Sequence, residues 1–269
     1  MPVPPHSSVR VRLVRDALLV RALGGEDKDA ESLRARGVSV VEDPYLVVAT
    51  CADEGAARRA AAVLEAIEAD SDWLVVTSRA ALRALSDLAG EDRVRAAIRS
   101  GSDRGMGFAT VGDTTRTALE QLGASDVLVP AVSTAEALRG ELAGRPAGSI
   151  VAPQGSQAMK GLASGLRSLG WRVDEQVVYE TTTVAARPPT ADRLSSGGFG
   201  VVVLRSPTAV RAVTGFAGTL PEQTAAVCGG PTTAAAARAA GIGTVVVSPG
   251  PTAAAVADTV LEYLSRPGA

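Results

Sequence analysis

The chain has few of the side chains that assemble metal sites, nucleophilic triads or base-stacking surfaces. Its 269 residues include one histidine, two cysteines and 3% aromatic residues. His6 lies in a proline-rich N-terminal segment, and Cys51 and Cys228 are far apart with no further ligand at metal-binding spacing. Ser-His-Asp triads, Cys-His dyads and histidine metal sites are therefore excluded, and we expect two free, buried thiols. A stacking platform for single-stranded nucleic acid also lacks its aromatic residues.

Strong charge of one sign and long apolar runs are missing as well. With 27 basic and 29 acidic residues the net charge is −2, so the overall field would not hold nucleic acid or an anionic membrane. No apolar run approaches the roughly 20 residues that span a bilayer. The start, Met-Pro-Val-Pro-Pro-His, lacks the basic-then-apolar order of a signal peptide. We expect a cytoplasmic protein in which any anionic ligand is bound by local features.

Glycine motifs for nucleotides are also absent. No Gly-x-Gly-x-x-Gly follows a predicted strand, and the glycines of segment 155–161 have the wrong spacing for a phosphate-binding P-loop. The sequence therefore gives no support for a nicotinamide or nucleotide cofactor.

Short β-branched runs alternate with Ala-, Leu- and Arg-rich stretches at helical spacing. This alternation predicts parallel sheets flanked by helices. Ten strands are predicted, too many for one compact flavodoxin-like sheet: 17–21, 38–48, 73–78, 108–111, 126–130, 149–154, 173–183, 200–206, 224–229 and 244–248.

An internal duplication divides these strands into two sets. Segment 111–115 (Val-Gly-Asp-Thr-Thr) and segment 229–233 (Gly-Gly-Pro-Thr-Thr) each lead through an alanine-rich helix to a glycine, a strand and a further threonine at equal spacing. A strand ending in serine, Ser78 or Ser206, lies upstream of each copy. The first strand with its helix, and the strand and helix that precede Gly170, form a third pair of similar segments.

The order of the repeated segments predicts that one domain is inserted in the other. The fold class is α/β, with two similar flavodoxin-like domains joined by a two-stranded hinge. The predicted limits are 9–44 plus 184–269 for domain 1 and 50–172 for domain 2, with connecting strands at 45–49 and 173–183.

All the repeated polar residues fall after strands, at the starts of helices. Ligands of parallel α/β sheets bind beyond the carboxyl ends of the strands, where helix N-termini offer unpaired N–H groups. Gly112 and Gly230 would permit close backbone approach, and a threonine or serine there can bind a ligand oxygen or cap the helix. Both interpretations stay open for each residue. Two such sites in each domain favour a cleft for an anion.

In these motifs the chain resembles the uroporphyrinogen-III synthase family from about Ala17 to Leu264. The most specific stretches are 153–155 continuing to Gly170, 178–181, 206–210, 230–233 and 248–252, and Arg21 also fits. The chain departs from the family pattern at Ala22 and Arg205.

The resemblance implies an enzyme that closes hydroxymethylbilane, a linear tetrapyrrole, into uroporphyrinogen III with loss of water and inversion of ring D. It implies no metal and no organic cofactor. The substrate carries eight carboxylates, to which helix N-termini are suited. We expect a monomer with no nucleic-acid or membrane partner.

The resemblance also implies the site residues. The tyrosine of the hinge strand, Tyr179, would be the acid, since a phenol is protonated at neutral pH; packing of the crossing strand is the structural alternative. The residues implied to bind substrate are Arg21, Ser78, Gly112, Thr115, Gln154, Gly155, Ser206, Gly230, Thr232 and Thr233. Arg79 and Arg205, beside the strand-end serines, are either partners for a substrate carboxylate or ordinary surface arginines.

Two non-enzymatic functions are the alternatives. One is a synthase-like domain that senses a ligand in a regulatory protein. The other is a hinged two-lobe binding protein, although such proteins usually carry secretion signals and more aromatic residues.

Overall fold

The computed structural model describes residues 16–23, 28–69, 71–156 and 160–266, so His6 lies outside the described residues. Within them the chain forms nine strands: β1 (Asp16–Ala22), β2 (Ser39–Thr50), β3 (Trp73–Val75), β4 (Gly107–Ala109), β5 (Ser149–Gly155), β6 (Arg172–Thr183), β7 (Val201–Leu204), β8 (Ala225–Cys228) and β9 (Val245–Val247).

Helices separate most of these strands. They are α1 (Lys28–Ala35), α2 (Ala56–Glu68), α3 (Arg79–Ala89), α4 (Glu91–Asp103), α5 (Asp113–Gln121), α6 (Ala135–Ala143), α7 (Lys160–Ser168), α8 (Ala191–Ser195), α9 (Pro207–Ala217), α10 (Pro231–Ala239) and α11 (Ala253–Leu264). The predicted α/β class is confirmed.

One of the ten predicted strands is wrong. Segment 126–130 makes only an isolated bridge, between Leu128 and Ala109. Asp126 at its start has φ 50°, which breaks the extended backbone that a strand requires. The other nine predictions coincide with observed strands, several of which are shorter than predicted.

The chain divides into two compact units. Of the described residues, unit 1 takes those up to Val47 and those from Thr182 onward, and unit 2 takes those in Val48–Thr181. The chain passes between the units within β2 and within β6, the two longest strands at 12 residues each. The domain limits given above stay a prediction.

Unit 1 contains a parallel sheet in the order β2-β1-β7-β8-β9. This is the flavodoxin-like order, in which the first strand lies between the second and the third. Helices α9 and α10 pack on one face and α1 and α11 on the other. The strands are buried on both sides, which explains their runs of valine, leucine and alanine.

Unit 2 repeats this order with a different chain connection. Its parallel strands lie in the order β6-β5-β3-β4, and the Leu128 bridge takes the place of the fifth strand. Helices α2 to α5 cover one face and α6 and α7 the other. Corresponding elements of the two units can therefore be compared residue by residue.

No helix in the described part of the chain is both long enough and apolar enough to cross a membrane. The same residues contain no group of three or more His, Cys, Asp or Glu side chains that could hold a metal ion.

Candidate active site

Four helices at the carboxyl edges of the sheets are capped by their own hydroxyl side chains. Ser78 accepts a hydrogen bond from the N–H of Ala80 at 3.2 Å, and Ser206 accepts one from Ala209 at 3.2 Å. Thr134 and Thr252 cap α6 and α11 in the same way. Of the two interpretations of Ser78 and Ser206, the structure shows the capping role. Each hydroxyl keeps its own O–H as a donor for a ligand.

Helices α5 and α10 start differently, because a glycine occupies the cap position. Gly112 and Gly230 have extended backbones, and neither helix has a side-chain cap. A Cβ at Gly230 would meet nothing within 4 Å, and one at Gly112 would meet only Ser133 Oγ at 3.8 Å. Both helix starts are therefore open around the cap glycine and lack a side-chain cap, which are properties of an anion site.

The threonines of these motifs lie inside the first turns, so the capping role considered for them is wrong. Thr115 and Thr233 are each 5% exposed and face the cores of their units. Thr232 and Thr114 are exposed. Of the four, only the exposed pair presents its hydroxyl groups to solvent at the helix starts.

Tyr179 lies on β6 with its ring against Gly155, at the end of β5. A Cβ on Gly155 would stand 2.6 Å from Tyr179 Cε2 and 3.0 Å from its hydroxyl oxygen. The two residues are partners in the β5–β6 ladder, and the Tyr179 carbonyl accepts a bond from Ser156 N at 3.0 Å. Tyr179 is half-buried beside the core of unit 2. Glycine at 155 is thus what lets the phenol lie at this strand end.

The corresponding strand of unit 1 carries its tyrosine one position earlier. Gly155 pairs with Tyr179, whereas the matching Ala22 pairs with Leu46, so Tyr45 corresponds to Val178.

Tyr45 is fully buried. Its hydroxyl lies 3.1 Å from Thr190 Oγ1, and Asp43 accepts bonds from the N–H and hydroxyl of Thr190. Burial raises the pKa of Tyr45. Tyr45 is therefore a structural residue.

Arg21 and Gln154 are the last residues but one of the matching strands β1 and β5, and each contacts a glutamate of the neighbouring long strand. Arg21 Nη1 lies 2.9 Å from Glu42 Oε2, and Gln154 Nε2 donates to Glu175 Oε2 at 2.7 Å. Gln154 also borders a small cavity lined by Thr77 and other residues of unit 2. Both predicted residues thus lie at strand ends and are held there by a carboxylate.

The two glutamates and their helix arginines were missed in the sequence, although a signal existed. Arg34 Nη2 lies 2.5 Å from Glu42 Oε1, and Arg167 Nη1 lies 2.7 Å from Glu175 Oε1. The helix arginine precedes its glutamate by 8 positions in both units, and the strand-end residue precedes it by 21. Extending the internal duplication to charged residues would have found them.

The two arginines beside the strand-end serines differ. Arg205 donates to the Pro251 carbonyl at 2.5 Å and lies 3.3 Å from Asp29 Oδ2, so it ties the loop before α11 to the start of α1. Arg79 is exposed and makes no hydrogen bond or ion pair with the residues that the structure describes. Arg79 has the freer guanidinium for an incoming carboxylate.

Both cysteines are free and buried, as expected. Burial raises the pKa of the Cys228 thiol to about 11, so it is protonated at neutral pH and is not a nucleophile.

These features define a class of protein: an α/β chain with two flavodoxin-like units, each with an uncapped helix start at the carboxyl edge of its sheet. The chain belongs to the uroporphyrinogen-III synthase HemD family, whose model matches residues 27–258. Enzymes of this family are lyases.

Solved structures agree at the level of the fold. The chain is similar to the uroporphyrinogen-III synthetase from Helicobacter pylori, with 14% identity and a TM-score of 0.56 over 92% of this chain and 99% of that one. It is also similar to a mutant uroporphyrinogen III synthase from Thermus thermophilus, with 14% identity and a TM-score of 0.51 over 92% of this chain and 98% of that one. No curated protein matches the chain in sequence.

Proposed function

We propose that the chain converts hydroxymethylbilane to uroporphyrinogen III in tetrapyrrole biosynthesis. The observation that carries this proposal is the family match over residues 27–258. The substrate's terminal hydroxyl leaves with a proton as water, and the cation that remains is attacked by the substituted carbon of ring D. The spiro intermediate then fragments, recloses with ring D inverted, and releases a proton.

The uncapped helix starts support binding of the substrate's carboxylates. The first turns of α5 and α10 present N–H groups that are not capped by a side chain among the described residues. The partial positive charge of a helix N-terminus favours an anion there. We assign Gly112 and Gly230 to close approach of a carboxylate, and Thr232 to a hydroxyl contact.

Ser78 and Ser206 would add hydroxyl donors, and Thr115 and Thr233 would act by fixing the first turns from the core side. Their burial supports a packing role rather than a direct contact. Arg21, Gln154 and Gly155 would line the strand ends near the reacting rings.

Tyr179 is our candidate for the acid. Its phenol is half-buried at the end of β5, where it can donate a hydrogen bond to the departing hydroxyl. Folding the bilane so that its ends meet is a proximity effect and would supply much of the rate. The phenol then assists departure of water rather than carrying the whole reaction.

The test is incubation of the purified protein with freshly generated hydroxymethylbilane, with the type III and type I products resolved by chromatography. The proposal requires the type III isomer. Formation of the type I product alone, which arises spontaneously, would contradict the proposal and would favour a ligand-sensing domain instead.

We further propose that the protein acts as a cytoplasmic monomer that binds neither nucleic acid nor membranes. Sedimentation at several protein concentrations checks the monomer, and a concentration-dependent mass would contradict it.

A further inference from the structure

Each unit carries the same three-residue arrangement, which we call the strand-end triad. In unit 1 it consists of Arg21, Glu42 and Arg34, and in unit 2 of Gln154, Glu175 and Arg167. In both, one glutamate oxygen takes the donor at the strand end and the other takes the helix arginine.

The repetition extends to the ladder and to the atoms. Leu19 pairs with Glu42 and Ala152 with Glu175, so both glutamates occupy the same register position. In both triads the strand-end residue and the arginine contact different oxygens of the glutamate. The glutamate side chains are only 19% and 23% exposed, unlike those of ordinary surface ion pairs.

Such an arrangement restricts the strand-end side chain. A carboxylate only accepts hydrogen bonds, so Gln154 must turn Nε2 towards Glu175, which fixes the direction of its carbonyl oxygen. Arg167 holds Glu175 from the other side and also donates to the Val173 carbonyl at 2.7 Å. The amide of Gln154 is thereby held in one orientation.

We infer that Glu175 and Glu42 are positioning residues that orient Gln154 and Arg21 towards the substrate. This inference rests on the proposed function. It assigns the glutamates no contact with the substrate, since they act through the strand-end side chains.

The triads differ in charge. Two guanidinium groups and one carboxylate leave one positive charge in unit 1, whereas an amide, a carboxylate and one guanidinium leave none in unit 2. The unit 1 triad therefore attracts a substrate carboxylate, and the unit 2 triad offers an oriented neutral donor and acceptor.

The test compares E175Q with E91Q. Glu91 pairs with Arg95 on the exposed surface of α4, so E91Q removes the same charge from an ion pair that has no part in the site. E175Q should raise KM for hydroxymethylbilane about tenfold, because the amide of Gln154 is free to turn. Melting temperatures of the two variants should change by similar small amounts. A KM for E175Q equal to that of E91Q would overturn the inference.

A swap variant separates orientation from stability. Q154E/E175Q restores a carboxylate–amide hydrogen bond with the partners exchanged, while Arg167 faces an amide as it does in E175Q, so its melting temperature should be at least that of E175Q. Its KM should stay raised, because the strand-end group is now a carboxylate that repels the substrate. Full recovery of KM would mean that the pair is structural only.

Side-chain NMR gives a readout that does not depend on turnover. In the wild type the chemical shifts of the Gln154 side-chain amide protons should differ from those of a solvent-exposed glutamine. In E175Q they should move to the solvent-exposed values, and in E91Q they should not. If the wild type forms no type III product, the proposed function fails; if it does and Gln154 is unchanged in E175Q, only this inference fails.

Discussion

Tyr45 and Tyr179 occupy similar strands but have different surroundings, and the difference assigns each a role. Tyr45 is fully buried, with its hydroxyl beside Thr190. Tyr179 is half-buried and rests on Gly155 at the strand end. Tyr45 can therefore serve as the control in a test of Tyr179 as the acid.

Y179F should lower kcat by about a hundredfold at most, because assistance to the leaving hydroxyl is lost while the folding of the bilane is kept. Its melting temperature should change little. Y45F should keep its activity and lose about 1 kcal/mol of unfolding free energy with its buried hydrogen bond. Steady-state kinetics and urea titration measure both effects. Full activity in Y179F would withdraw the acid role.

Gly155 can be used to move Tyr179 without altering its hydroxyl. A Cβ at this position would stand 2.6 Å from the Tyr179 ring, so G155A must displace the phenol. We expect a roughly tenfold loss of kcat, because catalysis depends on sub-ångström placement. G140A, in the middle of α6 with nothing within 4 Å of the added Cβ, is the matched control and should be neutral or stabilising. Equal activities of the two variants would argue against a role for Tyr179 in catalysis.

The candidate residues found in the sequence are those whose spacing repeats as a polar motif. Gly112 and Gly230 were found in this way, because glycine before threonine at a helix start is visible in the letters. Glu42 and Glu175 were missed although they follow Arg34 and Arg167 at the same spacing, because the repeat was traced through its glycines, serines and threonines and not through its charged residues. The fold then shows that each glutamate contacts a side chain of the adjacent strand.

At the scale of elements, the uncapped starts of α5 and α10 distinguish them from their capped neighbours. Helices α3, α6, α9 and α11 each have a serine or threonine whose oxygen accepts a first-turn N–H, whereas α2 and α4 also start after a glycine without a side-chain cap. Glycine at two corresponding positions leaves a few tenths of a kcal/mol of helix stability unrealised. Because α5 and α10 correspond in the two units, we interpret their shared lack of a cap as a site for an anion.

This interpretation is tested by adding a cap to α10. G230S and G230D should each stabilise the protein by a few tenths of a kcal/mol, since Gly230 has an extended backbone and open space around its Cβ. G230D should raise KM severalfold more than G230S, because its carboxylate occupies the N–H groups and repels the substrate. Thermal melts and kinetics measure the two effects. The same KM in both variants would mean that the helix start does not bind the substrate.

The strand predicted at segment 126–130 from the internal repeat is wrong. Its counterpart is the strand β9, and the spacing of the two copies is the same. The positive φ of Asp126 is decided by the local turn, which pattern alone does not report. The repeat therefore located this segment beside β4 but did not predict whether it forms a full strand.

At the scale of the whole chain, the repeat predicted more than local patterns do. The order of strands across the sheet is flavodoxin-like in each unit, although the order in which these strands follow one another along the chain differs between the units. The chain passes between the units within β2 and within β6, and the connecting strands at 45–49 and 173–183 stay a prediction. A sheet order of this kind follows from topology rules once the copies are aligned.

Acid sensitivity is a property of the whole chain, because carboxylates in both units have lowered pKa values. The Arg193 guanidinium lowers the pKa of Asp16, hydrogen bonds from Ser149 lower that of Asp72, and Arg59 lowers that of Asp53 to about 2. A lowered folded-state pKa stabilises the fold above the unfolded value of about 4, and this contribution is lost as the pH falls through the folded value. The urea midpoint should therefore be constant from pH 7 to about 5 and fall steeply between about 4 and 2.

D72N tests one component of this dependence. Asp72 Oδ2 accepts bonds from both the N–H and the hydroxyl of Ser149 at 2.7 Å, and an uncharged amide oxygen accepts both bonds more weakly than a carboxylate does. D72N should be less stable than the wild type at pH 6, and the difference should shrink below pH about 4 as Asp72 of the wild type is protonated. D103N is the control, since Asp103 is exposed and accepts no side-chain hydrogen bond from the described part of the chain. A D72N deficit that stays constant from pH 6 to pH 2.5 would show that the carboxylate charge of Asp72 does not stabilise the fold.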